Sequence, residues 1–350
     1  MGATLGQAEL RPQTPVSLRK RLPLAHLPTP LQRPRRLVAA TGIDLWVKRD
    51  DMTGGAEAGN KIRKLEFLLG EALSLECDTV LTCGGLQSNH ARATALAAAS
   101  LGLRAVLFLR TNDPSLDPPL EGNVLIDRLA GAEIRLITPE QYRDRERILD
   151  RAAEELRAEG QKPYVIPEGG SNGLGALGYV EAMGEVRRQL DLGLGGGKAF
   201  DAVVVACGSG GTAAGAALGA ALHGVASEVV AVAVCDDAPT FEARIEGIVR
   251  EARSLDPRLP EPVRMTVDDA HKGPAYAVST PEQRRLITSV AGLSGMVLDP
   301  VYTGKAFSAL MDLAGAGGPL AGKRILFVHT GGLPGLLAQG ATFEDALGLD

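Results

Sequence analysis

Short apolar runs ending in glycine alternate along this chain with longer alanine- and leucine-rich stretches, and that alternation restricts the fold more than any single motif. It is the pattern of an α/β protein built on open, twisted parallel sheets. Strands are predicted at Leu45–Lys48, Thr79–Thr82, Arg104–Leu109, Glu133–Ile137, Tyr164–Ile166, Ala202–Ala206, Val229–Val234 and Ile325–Val328. Helices are predicted between most of them, at Lys61–Leu75, Asn89–Leu101, Leu120–Leu129, Arg143–Glu159, Gly175–Gln189, Thr212–Leu222, Thr240–Ala252, Pro281–Ala291 and Thr303–Ala314. With 350 residues, 45% of them hydrophobic, the chain exceeds the usual size of one core, and two domains are expected. Residues 53–159 hold three strand–helix units of their own and read as a smaller domain inserted into a larger one made from 1–52 and 160–350. Pro163, Pro167 and Gly169-Gly170 mark the return, and residues 1–22 read as a loose N-terminal arm.

A formal charge of -5 without a long basic block argues against nucleic acid as the main partner. No apolar run is long enough to span a bilayer, and the charged N-terminus reads as neither a secretory signal nor an anchor. Cys77, Cys83, Cys207 and Cys235 lack C-x-x-C spacing and sit in or beside apolar runs, so reduced thiols and a cytoplasmic setting are expected, with no metal site.

Several segments carry chemistry. Lys61 and Lys64 lie three residues apart at the start of a predicted helix, after Ala58-Gly59-Asn60. They read either as solvated surface lysines or as an anion site with one amine available for an imine, which requires partial desolvation. In Thr82-Cys83-Gly84-Gly85-Leu86-Gln87-Ser88-Asn89-His90 a strand ends in two glycines before a helix. Such an end can hold a carboxylate on its free N–H groups, or Ser88 or Asn89 can simply cap the helix.

Residues Gly208-Ser209-Gly210-Gly211-Thr212 follow another strand and can curl around a phosphate, with the two hydroxyls as further donors. Gly208, Gly210 and Ala213 also fit the dinucleotide form G-x-G-x-x-A, and Asp236 ends the next strand, so a nicotinamide-dependent oxidoreductase is a rival reading. Tyr276 and Tyr302 are each read as packing, or as a ring that stacks on a ligand or moves a proton if its pKa is lowered. His329-Thr330-Gly331-Gly332 is a third glycine-rich strand end. All three ends fall at carboxyl edges, where open α/β sheets bind ligands.

Together, Lys-Arg-Asp-Asp at 48–51, Gly-Asn-Lys-Ile-Arg-Lys at 59–64, Gln-Ser-Asn-His at 87–90 and Asp-Pro-Val-Tyr-Thr-Gly-Lys at 299–305 make the chain similar to the fold-type II pyridoxal-phosphate enzymes. This is the tryptophan synthase β-like fold, with the cofactor between two domains. The likeness is to the group of D-cysteine desulfhydrases and 1-aminocyclopropane-1-carboxylate deaminases, and runs from about Pro28 to Leu337. It favours this reading over the nicotinamide one, and over a degenerate binding or sensor protein on the same fold.

The resemblance implies that Lys61 carries pyridoxal 5'-phosphate as a Schiff base and later moves the substrate Cα proton. It implies that Lys64 and Gly208–Thr212 hold the phosphate. Ser88, Asn89 and His90 would take the substrate carboxylate, with Asn89 also bonding the cofactor's phenolic oxygen and Ser88 near the chemistry. Tyr276 and Tyr302 would be the two active-site tyrosines, and the enzyme a homodimer acting on a small amino acid.

Deaminases that open a cyclopropane carry glutamate directly after the matching tyrosine and glutamine at the position of His90, whereas this chain has Thr303 there, with Thr330 as a second hydroxyl near the same ring nitrogen by analogy. A hydroxyl leaves that nitrogen largely neutral, which suits β-elimination of a good leaving group. The implied reaction is D-cysteine to pyruvate, ammonia and sulfide, with the cyclopropane deaminase or an L-cysteate sulfo-lyase as alternatives. Ala58, Leu86, Ala275 and Ala277 depart from the group's usual residues and bear on substrate size and loop position.

Overall fold

The computed structural model describes residues 21–349, so the expected arm at 1–22 lies almost wholly outside the described residues. The strands are β1 (Leu31–Gln32), β2 (Asp44–Lys48), β3 (Thr79–Gly85), β4 (Arg104–Arg110), β5 (Glu133–Ile137), β6 (Pro163–Val165), β7 (Phe200–Cys207), β8 (Ala226–Ala233), β9 (Arg264–Asp268) and β10 (Arg324–Val328). Helices α1 (Arg35–Thr41), α2 (Asn60–Ser74), α3 (Asn89–Ser100), α4 (Gly122–Leu129), α5 (Pro139–Arg143), α6 (Arg145–Ala158) and α7 (Gly173–Asp191) occupy the first part of the chain. The second part contributes α8 (Gly211–His223), α9 (Ala238–Leu255), α10 (Pro281–Ser294), α11 (Thr303–Ala314), α12 (Leu333–Leu337) and α13 (Glu344–Leu347).

Two sheets result. The larger runs β1-β2-β10-β7-β8-β9, parallel except for the short antiparallel edge pair β1–β2; the smaller runs β5-β4-β3-β6 and is wholly parallel. Strand β6 pairs with β3 through Thr79 opposite Pro163, so the smaller sheet draws on chain beyond residue 159.

All eight predicted strands are present, and the departures have local causes. The two unforeseen strands are edges: β1 is two residues long, and β9, Arg-Met-Thr-Val-Asp, interleaves polar residues with the apolar ones. The helix predicted from Arg143 breaks at Asp144, because Pro139 and a reciprocal Thr138–Gln141 capping box start a separate short helix.

Both faces of the sheets are buried, as the alternation along single strands shows. Val203, Val205 and Cys207 of β7 point into one core, which also takes in α2, α3, α7 and α8, while Ala202, Val204 and Ala206 point into another with α10 and α11. In the smaller sheet Leu107 and Leu109 share the first core, and Val106 and Phe108 pack with Leu149 and Leu156 of α6. One hydrophobic core therefore runs continuously between the sheets.

Helix α7 sets the spacing at that junction. A Cβ at Gly178 would collide with the backbone carbonyl of Arg63 on α2, and one at Gly215 of α8 with the carbonyl of Ala176 on α7. Glycine at these two contacts lets the helix bearing Lys61 and the helix after the Gly208 loop both lie close against α7.

Beneath α2 a charged cluster is wholly enclosed. Arg63 donates through Nε and Nη2 to both oxygens of Asp50 at 2.8 Å and through Nη1 to Glu185 Oε2 at 3.1 Å. Lys48 Nζ reaches Glu185 Oε1 at 2.5 Å, and the Tyr179 hydroxyl donates to Asp50 at 2.7 Å. Burial raises the Asp50 carboxyl, but Arg63 and Lys48 outweigh it and hold the group below the usual carboxylate range. Lys-Arg-Asp-Asp thus works partly as a foundation that pins β2, α2 and α7 together.

Candidate active site

The first turn of α2 and the ends of β3, β7 and β10 border one cavity, lined by Asn60, Lys61, Asn89, Gly208, Ser209, Gly210, Thr212, Tyr302 and Thr330. Helix α2 can enter it because Gly59, at φ 127°, adopts a backbone that side chains resist, and the Asn60 N–H then bonds the Thr330 carbonyl at 3.1 Å. Lys61 is half-exposed to the cavity, with Nζ 3.4 Å from the Gly169 carbonyl. Desolvation by the walls lowers its ammonium to about 8, against the opposing pull of Glu168, so a sizeable share of free amine exists near neutral pH.

Loop 208–212 turns directly into α8, whose first residue is Gly211, so N–H groups at the positive end of a 13-residue helix face the cavity. Thr212 Oγ1 accepts from Asn60 Nδ2 at 3.0 Å, tying this loop to the turn that carries Lys61. Lys64 stands behind the wall and not on it. Its Nζ donates to the Gly169 carbonyl at 3.1 Å and to Ser171 Oγ at 2.9 Å, and Ser171 in turn accepts from the Gly211 N–H and bonds Ser209 Oγ at 2.8 Å. Burial, with Lys61 adding to it, takes the Lys64 ammonium well below its usual value.

A second cavity adjoins the first through Lys61, Gly208, Ser209 and Tyr302, and adds Ser88, His90, Arg110, Tyr142, Arg145, Glu168 and Tyr276. Ser88 is the N-cap of α3, accepting from the Ala91 N–H at 3.2 Å, and it also lines this cavity, so the capping and site readings hold at one residue. The buried His90 ring bonds Thr82 Oγ1 at 2.9 Å, and burial with Lys61 and Lys64 drives its pKa well down, leaving it neutral. Asn89 Oδ1 accepts from Asn123 Nδ2 at 3.2 Å, which turns its own amide group toward other partners.

The hydroxyls of Tyr276 and Tyr302 meet at 2.5 Å, their rings edge to face. Burial raises both phenols, Tyr276 to about 12 and Tyr302 well above its ordinary value, so the lowered phenol pKa considered for proton transfer is not what this site provides. Burial likewise pushes Cys207, on the wall of the first cavity, to about 12, which removes it as a nucleophile.

Thr303 departs most from expectation. Its side chain is turned away from both cavities: Oγ1 donates to Asp299 Oδ1 at 2.7 Å and accepts from the Asp299 N–H at 2.7 Å. Asp299 needs this partner because its carboxylate caps α11, accepting from the N–H groups of Val301, Tyr302 and Thr303. Of the two threonines, Thr330 is the one that lines the first cavity.

Sequence reading missed Glu168, Arg110, Tyr142, Ser171 and Asn123. Glu168 accepts from the Tyr142 hydroxyl at 2.6 Å and pairs with Arg145 at 3.1 Å. Pro-Glu-Gly-Gly-Ser at 167–171 held the one available signal, a charged residue inside a glycine turn, and was read only as punctuation.

A phosphate-bearing aldehyde suits these residues: a desolvated amine, an adjacent helix start whose glycines leave room for it, and hydroxyl residues in the same lining. Asp236, the acid of the nicotinamide reading, lines the second cavity and is paired with Arg244 at 2.7 Å, and no carboxylate lines the first. Among the described residues no cluster could hold a metal ion, and no helix is long and apolar enough to cross a membrane.

Comparisons with known proteins agree. The family model described as "Pyridoxal-phosphate dependent enzyme" matches residues 22–331. The chain is 45% identical to the bifunctional D-cysteine desulfhydrase/1-aminocyclopropane-1-carboxylate deaminase, mitochondrial, of Arabidopsis thaliana, over 89% of this chain and 78% of that one. It is 38% identical to a D-cysteine desulfhydrase of Yersinia pestis, over 91% and 95%. A crystal structure described as an ACC deaminase homologue superposes with a TM-score of 0.84 at 39% identity, covering 93% of this chain and 96% of the other. The desolvated lysine and glycine loop at one cavity agree with the family match: the chain belongs to the pyridoxal-phosphate-dependent enzymes of fold type II, in the group of D-cysteine desulfhydrases and 1-aminocyclopropane-1-carboxylate deaminases.

Proposed function

We propose that the protein catalyses β-elimination from a small amino acid, with D-cysteine as substrate and pyruvate, ammonia and sulfide as products. The observation that carries this reading is the lining of the first cavity, which includes Lys61 and Thr330 and no carboxylate. A ring nitrogen facing a hydroxyl stays largely neutral, and a reaction whose leaving group takes its own electron pair needs no stronger electron sink. Opening a cyclopropane does need one.

When bound, pyridoxal phosphate supplies the conjugated ring that accepts electron density from Cα. Lys61 would hold its aldehyde carbon, the Gly208–Thr212 amides and hydroxyls its phosphate, and Asn89 its phenolic oxygen. Lys64 acts from behind, fixing Ser171 against the loop. The N-terminus of α3, with Ser88 and neutral His90, receives the substrate carboxylate on oriented N–H groups. Lys61 takes the Cα proton, and the Tyr276–Tyr302 pair, protonated throughout the neutral range, shields and hydrogen-bonds the departing group.

Purified enzyme with the cofactor should release pyruvate and sulfide from D-cysteine far faster than ammonia from the cyclopropane amino acid; the opposite preference sinks the assignment. The proposed setting is a cytoplasmic homodimer, in keeping with four free thiols among the described residues.

A further inference from the structure

The second cavity contains a guanidinium whose charge the protein leaves unmet. Arg145 is paired with Glu168 and Arg244 with Asp236, at 3.1 and 2.7 Å, and Arg143 is exposed. Arg110 is half-buried and, among the described residues, its side chain has neither a hydrogen bond nor an ion pair. It is held by rings instead. Its guanidinium carbon lies 4.7 Å from the centroid of Tyr142 and 5.4 Å from that of Tyr276. Aromatic contacts satisfy the faces of the fork and leave its in-plane N–H donors available, the arrangement that receives an oxyanion or thiolate edge-on.

Its place in the fold is defined. Arg110 ends β4 directly opposite Gly85 on β3, three residues before Ser88, and a Cβ on Gly85 would sit 3.4 Å from the Tyr276 ring. Arg110 therefore shares a wall with the proposed carboxylate site and with the tyrosine pair, in a cavity that also contains Lys61. The α3 N-terminus accounts for one anion, and Arg110 provides for a second.

We infer that Arg110 is a specificity-determining residue that receives an anionic group on the substrate's β-carbon, a thiolate or a sulfonate. The inference rests on the β-elimination reading and deepens it. As the Cα proton passes to Lys61, the former Cα–H pair becomes the Cα–Cβ double bond, and sulfur leaves with the Cβ–S pair, as sulfite from a sulfonate or, with one proton taken from the Tyr276–Tyr302 hydroxyl pair, as hydrosulfide from a thiolate. Negative charge on sulfur grows through that step, where a fixed guanidinium stabilises it. A neutral β-hydroxyl gains much less.

The test compares cofactor-loaded wild type, Arg110→Met and Arg110→Lys on cysteate and on D-serine, with cofactor absorbance as the check on loading. Calorimetric binding of 3-sulfopropanoate and propanoate, which lack an amine and cannot react, supplies a second readout. Arg110→Met should lose at least about tenfold more kcat/KM on cysteate than on D-serine and should erase a wild-type preference for 3-sulfopropanoate, with Arg110→Lys restoring part of both. Equal losses on the two amino acids, or no preference for the sulfonate in wild type, overturn the assignment. If wild type releases pyruvate from none of D-cysteine, cysteate and D-serine yet shows an Arg110-dependent sulfonate preference, the elimination reading falls while the anion site stands.

Discussion

The hydroxyl oxygens of Tyr276 and Tyr302 lie 2.5 Å apart although the residues are 26 positions apart in the chain, and each ring closes the same cavity over Lys61. The contact joins the 270–280 loop to the start of α11. Burial around the pair keeps both phenols protonated, with Tyr276 pushed up to about 12.

The pH profile of kcat should accordingly show no phenol ionisation below about pH 10. Tyr276→Phe leaves Tyr302 without its partner in a buried site, a loss of about 1–3 kcal/mol, or roughly 10- to 100-fold in kcat if the pair acts on the departing group. Steady-state kinetics checks both points, and an unchanged kcat would assign the pair to packing.

Lys61→Ala should abolish the bound chromophore and lower activity by at least about 10³-fold while leaving the fold intact, since the side chain's hydrogen bond is one long contact to Gly169. In the apo protein the ammonium predominates below about 8 and the amine above it, so capture of pyridoxal phosphate should accelerate as pH rises through that value and then level off. Glu168→Gln removes the carboxylate that favours the ammonium, so the midpoint should move down. Stopped-flow absorbance reads the midpoint.

Converting Thr303 to the glutamate of the cyclopropane deaminases should not transfer their activity. The new carboxylate would be thrust into the buried space already occupied by Asp299, at a cost of about 3–5 kcal/mol. Thr303→Val should cost about 1–3 kcal/mol through the lost bonds to Asp299, with kcat less affected than by Thr330→Val. Thermal unfolding and kinetics on the same variants separate the two threonines.

Arg63→Met strands Asp50 and Glu185 beneath α2 and should destabilise the protein by about 3–5 kcal/mol. Both carboxyls titrate below their usual range when folded, Glu185 because Arg63 and Lys48 outweigh its burial. Their contribution is therefore complete above about pH 4.5 and is lost as pH falls through the folded-state values. Wild type should lose stability over that acid window more steeply than the variant, as denaturant titration at several pH values will record.

Much of this site could be read before any fold was known, and the reasons are local. Strand and helix alternation, the glycine that starts α2, the loop before α8 and the cap at Ser88 all depend on residues within a few positions of one another, so composition and spacing specify them. Even so, local pattern left Lys61 balanced between a surface charge and an active amine. Only the walls brought around it by the ends of β7 and β10 and by Gly169 desolvate it.

The remainder depended on where side chains point in three dimensions. Thr303 and Thr330 were equal candidates on paper, and the need of Asp299 for a partner turned one of them inward and left the other on the cavity wall. Lys64 looked like a wall residue, yet Ser171, 107 positions away, holds it behind the glycine loop. Glu168 and Arg110 carried no motif, because their meaning lies in what surrounds them: a tyrosine and an arginine for the one, two aromatic rings and no counter-charge for the other. The sequence by itself determined the alternation of strands and helices and the glycine-rich strand ends, and it left open whether Lys61 is a surface charge or an active amine. Tertiary packing decided which polar groups face the ligand, because burial and pairing are set by neighbours distant in sequence.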